Sequence, residues 1–181
     1  MSDRNPTRVA VPVHEATPAD HPAVRDVLGA AYRQYETVLP PGVFDVYLTD
    51  ILDLDSRMAT SELLVAELDG RVAGAVTFYP DAAAEGLGWP AGWAGLRALG
   101  VDPEARGQGV GHALMDACLG RARQAGAEVL CLHSAAFMTH AVAMYEAMGF
   151  SRVPEFDFEG VGDEPVRVIA YRLDLSEPPH R

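Results

Sequence analysis

The chain of 181 residues contains no lysine and only two cysteines, and each scarcity excludes a class of protein. A P-loop for nucleoside triphosphates needs Gly-Lys followed by Ser or Thr, so the lack of lysine excludes that site. Cys118 and Cys131 both lie in apolar patterns, which indicates packed thiols and not a disulfide framework. The His and acidic residues show no metal-ligand spacing, so we expect no bound metal.

Long apolar runs and a basic-then-apolar leader are also missing from the sequence. We therefore expect neither a membrane span nor a signal peptide, and the expected location is the cytoplasm. The formal net charge of -12 and the pI near 4.8 disfavour nucleic-acid binding, which requires a basic face. The same charge suits a cationic partner such as an amine.

Length and composition fit one globular domain, since 181 residues with 49% apolar content can bury a sizeable core. The predicted domain spans residues 9–175, and residues 1–8 and 176–181 are predicted to be tails, the first of them flexible. Hydrophobic periodicity and turn signals predict the order β-α-α-β-β-β-α-β-α-β-β. The predicted strands are residues 9–15, 63–68, 72–79, 96–101, 129–133, 153–158 and 166–175.

The helices of this order have recognisable start and stop signals. Thr17 is the expected cap of the first helix, with Pro18 in its first turn, and a second helix is expected after residues 40–42. Asp69-Gly70 predicts a tight hairpin turn between two strands. Gly126 is the expected stop of the third helix.

The segment 96–126 combines a predicted buried strand, a glycine-rich loop and an amphipathic helix. The loop reads Arg106-Gly107-Gln108-Gly109-Val110-Gly111. The first amides of a helix lack intrahelical partners and carry the positive end of the helix dipole, so they favour a phosphate. A plain tight turn between strand and helix is the alternative. A dinucleotide fingerprint is disfavoured because its third glycine would fall on His112.

The spacing that the loop does fit is Arg/Gln-x-x-Gly-x-Gly/Ala, and with it the segment resembles the acetyl-CoA motif of the GNAT superfamily of N-acetyltransferases. A second match follows at residues 141–150, where Ala-x-x-(apolar)-Tyr-x-x-x-Gly-Phe resembles a later helix of the same family. The resemblance covers residues 62–175 by pattern. It implies an α/β (α+β) fold with a mixed, mostly antiparallel sheet of about seven strands, helices on both faces, and splayed central strands that form an acyl-CoA cleft.

The resemblance also implies the cofactor and the residues that hold it. Acetyl-CoA is the expected acyl donor, its arm pairing with the backbone of Leu99 and Val101 and its pyrophosphate lying on the amides of residues 107–112. For Leu99 and Val101 the alternative is plain core packing. The residues expected to bind the cofactor are Leu99, Gly100, Val101, Arg106, Gly107, Gln108, Gly109, Val110, Gly111 and His112.

The implied reaction is direct transfer of the acetyl group to a primary amine in a ternary complex. Tyr145 matches the family tyrosine that protonates the leaving thiolate, and a phenol with a reference pKa near about 10 is a suitable acid. The alternative is that Tyr145 is only part of its helix's apolar face. Relatives often place the general base, a Glu, on the central strand, where this chain has Arg97. His133, His140, Glu67 or an ordered water chain remain as candidates.

Several features of the acceptor side stay open. Residues 80–92, with Trp89 and nearby Trp93, are a candidate wall of the acceptor pocket, and the helices near Tyr35 and Tyr47 help to shape it. The acceptor is a small molecule, such as a polyamine, an antibiotic or an amino acid, or else a peptide or protein amine. A non-catalytic acyl-CoA-binding or regulatory module is the alternative function. Many relatives form homodimers, and the sequence has no signature for or against one.

One further departure from the family concerns the cofactor. Relatives often carry Asn three residues before the Ala of the second motif, and this chain has Met138 there. The hydroxyl groups of Ser134 and Thr139 are the candidates to replace the missing amide.

Overall fold

A sheet of eight strands is the frame of the computed structural model, which describes residues 10–160 and 166–176. The predicted tail at residues 1–8 lies outside the described residues, as do Val9 of the first predicted strand, residues 161–165 and residues 177–181. The strands are β1 (Val13–Glu15), β2 (Glu62–Leu68), β3 (Arg71–Tyr79), β4 (Ala94–Val101), β5 (Val129–Ala135), β6 (Ser151–Arg152), β7 (Phe158–Gly160) and β8 (Val166–Asp174). The α-helices are α1 (His21–Tyr32), α2 (Pro41–Leu52), α3 (Val110–Gln124) and α4 (Thr139–Ala147).

The strand order is β1-β2-β3-β4-β5-β8-β6, with β7 pairing beside β6 on β8. Neighbouring strands are antiparallel except for β4 and β5, which run parallel. This confirms the expected mixed, mostly antiparallel sheet, with one strand more than the seven predicted.

The extra strand arises where one strand was predicted over residues 153–158, and that prediction is wrong. Pro154 cannot donate to a ladder, and a 3₁₀ turn at Pro154–Phe156 separates β6 from β7. The Asp157 carboxylate then accepts the Ala170 amide at 2.8 Å, replacing the missing strand contact. At the other end of the sheet, β1 begins only after Pro12.

Local signals were mostly reliable. The predicted cap at Thr17 forms, since the Asp20 carboxylate accepts hydrogen bonds from the Thr17 amide at 2.7 Å and from its hydroxyl at 2.8 Å. The element that Thr17 caps is a 3₁₀ turn at Pro18–Asp20, which leads directly into α1. Asp69 and Gly70 have φ of 50° and 72°, which is the left-handed pair that a tight hairpin requires. No helix of the described residues is long and apolar enough to cross a membrane.

Helices pack on both faces of the sheet, and two glycines allow their close approach. A Cβ on Gly74 of β3 would lie 2.6 Å from Val110 Cγ1 of α3. A Cβ on Gly100 of β4 would lie 2.6 Å from Leu28 Cδ2 of α1. Gly74 and Gly100 lie in adjacent residue pairs of the two strands, since Gly74 is opposite Val101 and Ala75 is opposite Gly100. The strands β3 and β4 are therefore held between α3 on one face and α1 on the other.

Both cysteines are buried free thiols, as the apolar patterns predicted. Cys118 lies on the inner face of α3 and Cys131 on β5, each with no exposed surface. Burial raises the pKa of the Cys118 thiol to about 12 and that of the Cys131 thiol further.

The central strands β4 and β5 separate after a short paired segment. Their ladder joins only residues 94–96 to residues 130–132, although both strands continue. On its other side β4 has a bulge, since Ala98 and Leu99 together oppose the single residue Val76, and Ala98 has a φ of 53°. Beyond Leu96, one edge of β4 is therefore free of a neighbouring strand.

Candidate active site

A cavity of about 680 Å³ opens where β4 and β5 separate. Its walls combine the free edge of β4, the glycine-rich loop before α3, the start of α4, and side chains from α1 and α2. The cavity falls into two halves that we name by their neighbours. The cofactor half adjoins residues 99–112, and the acceptor half adjoins α2 and the loop at residues 82–87.

The cofactor half is built mainly from backbone. Gly107 and Gly109 have φ of 76° and 87°, and Gly109 is the N-cap of α3. No side chain of the described residues caps α3, so its first amides are free to donate hydrogen bonds to an anion. A Cβ on Gly111 would lie 3.5 Å from Met144 Sδ and 3.6 Å from Val101 Cγ2, which are ordinary contacts. This explains why the motif tolerates Gly or Ala at that position.

The residues expected to bind the cofactor line this half, with one exception. Gln108 is exposed and does not line the cavity, since its side-chain amide donates to the Glu104 carbonyl at 3.3 Å. Leu99 presents its backbone at the free edge, where its carbonyl already accepts a bond from the Tyr32 hydroxyl at 3.0 Å. The lining residues are Leu99, Gly100, Val101, Arg106, Gly107, Gly109, Val110, Gly111 and His112.

These features fit the chemistry of acetyl-CoA. A strand edge without a partner suits the amides of an extended arm, and uncapped helix amides suit a pyrophosphate. The cavity joins the two, since the edge of β4 and the start of α3 both line it.

Tyr145 of α4 lines the same cavity although its side chain is almost fully buried. Its ring packs 6.0 Å from Phe150 and 6.4 Å from Tyr171, measured between ring centroids, so it is also part of the core. Burial and the nearby Tyr35 raise the pKa of the Tyr145 phenol above its ordinary value. The phenol is therefore protonated at neutral pH, as a proton donor must be.

Met138, at the position where relatives carry Asn, is buried at the N-cap of α4. The Ser134 hydroxyl lies 3.8 Å from the Met138 sulfur and donates to it. Both residues line the cavity, whereas Thr139 does not. Of the two suggested replacements for the missing amide, only Ser134 is therefore placed at the cavity.

The acceptor half has an aromatic wall and an ion pair. Tyr32 contacts Tyr35 and Tyr47 edge-on at centroid distances of 6.0 and 5.8 Å, and Tyr35 contacts Phe137 at 5.2 Å. Next to this wall, the Arg97 guanidinium of β4 pairs with the Asp50 carboxylate of α2. The tyrosines predicted to shape the acceptor side therefore line the cavity.

The candidate bases named from the sequence differ in whether they line the cavity and in whether they are free to take a proton. Glu67 is outside the cavity lining and pairs with His14 Nε2 at 3.0 Å. His140 is exposed at the rim. His133 lines the cavity, but its Nε2 must donate to the Phe156 carbonyl at 2.9 Å. Its Nδ1 is buried and has no partner among the described residues, and burial lowers the pKa of the ring.

The loop at residues 80–92 contributes to the acceptor half, but not through its indoles. Trp89 and Trp93 pack with Phe156 in a separate apolar cluster and do not line the cavity. Glu85 and Leu87 line it instead. Sequence reasoning missed Glu85, although one signal was available. Of the two carboxylates in this loop, Asp81 caps its own turn through the Ala83 amide at 3.1 Å, so Glu85 is the one that remains to line the cavity.

Comparison with known proteins identifies the family. The profile of the acetyltransferase (GNAT) family matches residues 24–150. The chain belongs to this family. The family uses acetyl-CoA as the acyl donor.

The alignments with curated relatives cover only part of each relative's length. A mycothiol acetyltransferase of Thermobispora bispora is 39% identical over 88 residues, which cover 49% of this chain and 29% of that enzyme. The camello protein of Xenopus laevis, assigned as an N-acetyltransferase, is 30% identical over 134 residues, or 70% of this chain and 58% of that protein. The chain thus spans less than two thirds of either relative.

Solved structures share the fold of this GNAT protein. A GCN5-related N-acetyltransferase from Rhodopseudomonas palustris aligns with a TM-score of 0.72 at 17% identity, covering 91% of this chain and 96% of that one. A protein from Salmonella typhimurium, assigned as an acetyltransferase and solved with its cofactor acetyl-CoA, aligns with a TM-score of 0.61 at 17% identity. It covers 94% of this chain and 97% of that one. At these identities the likeness shows the fold alone.

Proposed function

We propose that this protein is an N-acetyltransferase that moves the acetyl group of acetyl-CoA to a primary amine within a ternary complex. The supporting observation is a single cavity that joins two halves of different chemistry. One half offers free backbone amides, and the other offers carboxylates and aromatic rings. A donor and an acceptor bound in the two halves would meet where β4 and β5 separate.

In this proposal the backbone of Leu99 and Val101 holds the arm of the donor, and the amides of residues 107–112 hold its pyrophosphate. Tyr145 gives a proton to the leaving thiolate. Its place in the lining of the same cavity supports that role.

A small-molecule or peptide amine is the acceptor class that the second half favours. Asp50 and Glu85 attract an ammonium group, and the rings of Tyr35, Tyr47 and Phe137 offer faces for a cation or an apolar chain. The net charge of -12 steers cations towards the protein.

The proposal is tested by measuring amine-dependent thiol release from acetyl-CoA across an amine panel, with CoA binding followed by calorimetry. We expect Tyr145→Phe to lower kcat by about 10- to 100-fold while CoA affinity stays unchanged, because only the proton donor is removed. Tyr171→Phe is the matched control, since Tyr171 is buried beside Tyr145 but bonds Glu146 outside the cavity. Binding of CoA without turnover of any amine would instead support an acyl-CoA-binding or regulatory module.

A further inference from the structure

Glu85 is fixed above the point where β4 and β5 separate. It ends a 3₁₀ turn at Ala82–Glu85, whose first amide donates to the Trp93 carbonyl at 2.7 Å. Gly95 of β4 lets this turn lie directly on the strand, since a Cβ there would be 3.0 Å from Ala82 Cβ. The paired segment of β4 ends at Leu96, one residue further on. The turn therefore presents Glu85 at the mouth of the gap.

The Glu85 carboxylate is half-buried, and one of its two oxygens has no hydrogen-bond partner among the described residues. Oε2 accepts a bond from Trp89 Nε1 at 3.2 Å, which orients the group. Within residues 10–160 and 166–176, Oε1 accepts no hydrogen bond, and no cation lies within ion-pair distance of either oxygen. Because Glu85 also lines the acceptor half, this oxygen is available to a ligand.

Three other ionisable groups of the acceptor half, Asp50, Arg97 and His133, are already engaged. Asp50 and Arg97 neutralise each other in an ion pair. His133 uses Nε2 for a backbone carbonyl, and its Nδ1 is sealed from the cavity by burial. Glu85, by contrast, combines a carboxylate oxygen that has no partner among the described residues with an orientation fixed by Trp89.

We propose that Glu85 is the general base of acetyl transfer, taking a proton from the acceptor ammonium directly or through one water. This inference rests on the proposed function and names the residue that the sequence left open.

The electrostatic surroundings suit that role. Removal from water raises the pKa of Glu85 to about 7, because desolvation outweighs the opposing effects of Arg97, the Trp89 hydrogen bond and Arg57. Asp50 raises it further. A base with a pKa near the working pH is both deprotonated and able to hold a proton. The titratable or charged groups around Glu85 are Asp50 on α2, Arg57 after α2, Tyr79 on β3, Arg97 on β4 and Cys131 on β5.

The proton balance closes with residues already described. The acceptor enters as an ammonium, and Glu85 takes one of its protons, so the nitrogen gains a free lone pair. The nitrogen bonds to the thioester carbonyl carbon, and the carbon–sulfur bond breaks. Tyr145 gives its proton to the thiolate and regains one from the amide nitrogen, and Glu85 releases its proton to solvent. The products are the acetamide, CoA thiol and one proton.

Replacement of Glu85 by Gln tests the inference with little change of shape, and Glu128→Gln, at an exposed residue just before β5, is the matched control. We expect Glu85→Gln to lower kcat at least about 100-fold at pH 7.5, with CoA affinity unchanged. Wild-type activity should reach a plateau above a pH of about 7, because the base is then ionised and the ammonium is its substrate. The variant should keep gaining activity at higher pH as free amine accumulates. Glu85→Asp should recover part of kcat and the plateau.

A second readout is independent of turnover. A Glu whose pKa is raised by folding stabilises the fold below its unfolded pKa near 4.5, and this contribution is lost as the pH rises through about 7. The melting temperature of wild type should therefore fall relative to that of Glu85→Gln across this window, whereas Glu128→Gln should follow wild type.

The outcomes separate this inference from the proposed function. Wild-type turnover that Glu85→Gln retains within about 3-fold, with the same pH profile, would overturn the role of Glu85 and leave the transferase intact. Melting temperatures of wild type and Glu85→Gln that change with pH in the same way would also overturn it. A wild type that turns over no amine would contradict the proposed function, and with it the role of Glu85 as a base.

Discussion

The two halves of the cavity are built on different principles. The cofactor half uses the backbone of one continuous stretch, residues 99–112, with glycines at its turning points. The acceptor half uses side chains from α1, α2, the 82–87 loop and β5, which are distant in sequence. A backbone site depends on local conformation, so it tolerates changes of side chain. A side-chain site depends on how separate elements pack, so small displacements alter it.

The largest effect that separates the halves should come from Gly109. Its φ of 87° is strained for any residue with a Cβ, and the strain falls on the amides at the start of α3. We expect Gly109→Ala to weaken CoA binding at least about 30-fold, or about 2 kcal/mol, as measured by calorimetry. Gly111→Ala is the matched control and should stay within about 2-fold, since its Cβ makes ordinary contacts. Equal losses in both variants would contradict a conformational requirement.

A smaller effect should follow from moving the turn that holds Glu85. In Gly95→Ala the new Cβ would press on Ala82 at 3.0 Å, so the turn must shift by a few tenths of an ångström. We expect kcat to fall about 5- to 10-fold with CoA affinity unchanged, because orientation at the reacting atoms is sensitive to such shifts. Gly120→Ala on α3, where a Cβ meets nothing within 4 Å, is the control. A change in CoA affinity without a change in kcat would place Gly95 in the other half.

The smallest effect should come from the ion pair of the acceptor half. Asp50 is half-exposed and already neutralised by Arg97, so its attraction for an incoming ammonium is weak. We expect Asp50→Asn to raise the acceptor KM about 3-fold with little change in kcat or CoA affinity. Steady-state kinetics at low and high salt would measure it, with Asp55→Asn as an exposed control that pairs with Arg25. A loss of kcat as large as that expected for Glu85→Gln would make Asp50 the better base.

The same contrast explains how far the sequence could predict the structure. The strand, loop and helix around residues 96–126 were predictable because glycine spacing and apolar periodicity are local properties. Gln108 lies in that loop, yet its side chain turns away to Glu104, since periodicity does not determine the direction of an exposed side chain. Glu85 was missed because its position depends on a contact between Gly95 and Ala82, which are 13 residues apart and lie on different elements.

The same reason applies to the indoles of the 80–92 loop. Their size suggested a pocket wall, but Trp89 stacks on His133 at 4.3 Å and forms core. Apolar area alone does not tell which cluster a side chain joins. The split of the strand predicted over residues 153–158, by contrast, was visible at Pro154, which cannot donate to a ladder.

The burial of both cysteines has a practical consequence for assays of this protein. Thiol-detecting reagents react with exposed thiolates, and Cys118 and Cys131 are neither exposed nor ionised near neutral pH. The folded protein should therefore not react with such a reagent, so the signal in a thiol-release assay measures the CoA that is released. The slow rate at which the reagent labels the protein itself would then measure how often the structure opens to expose a buried cysteine.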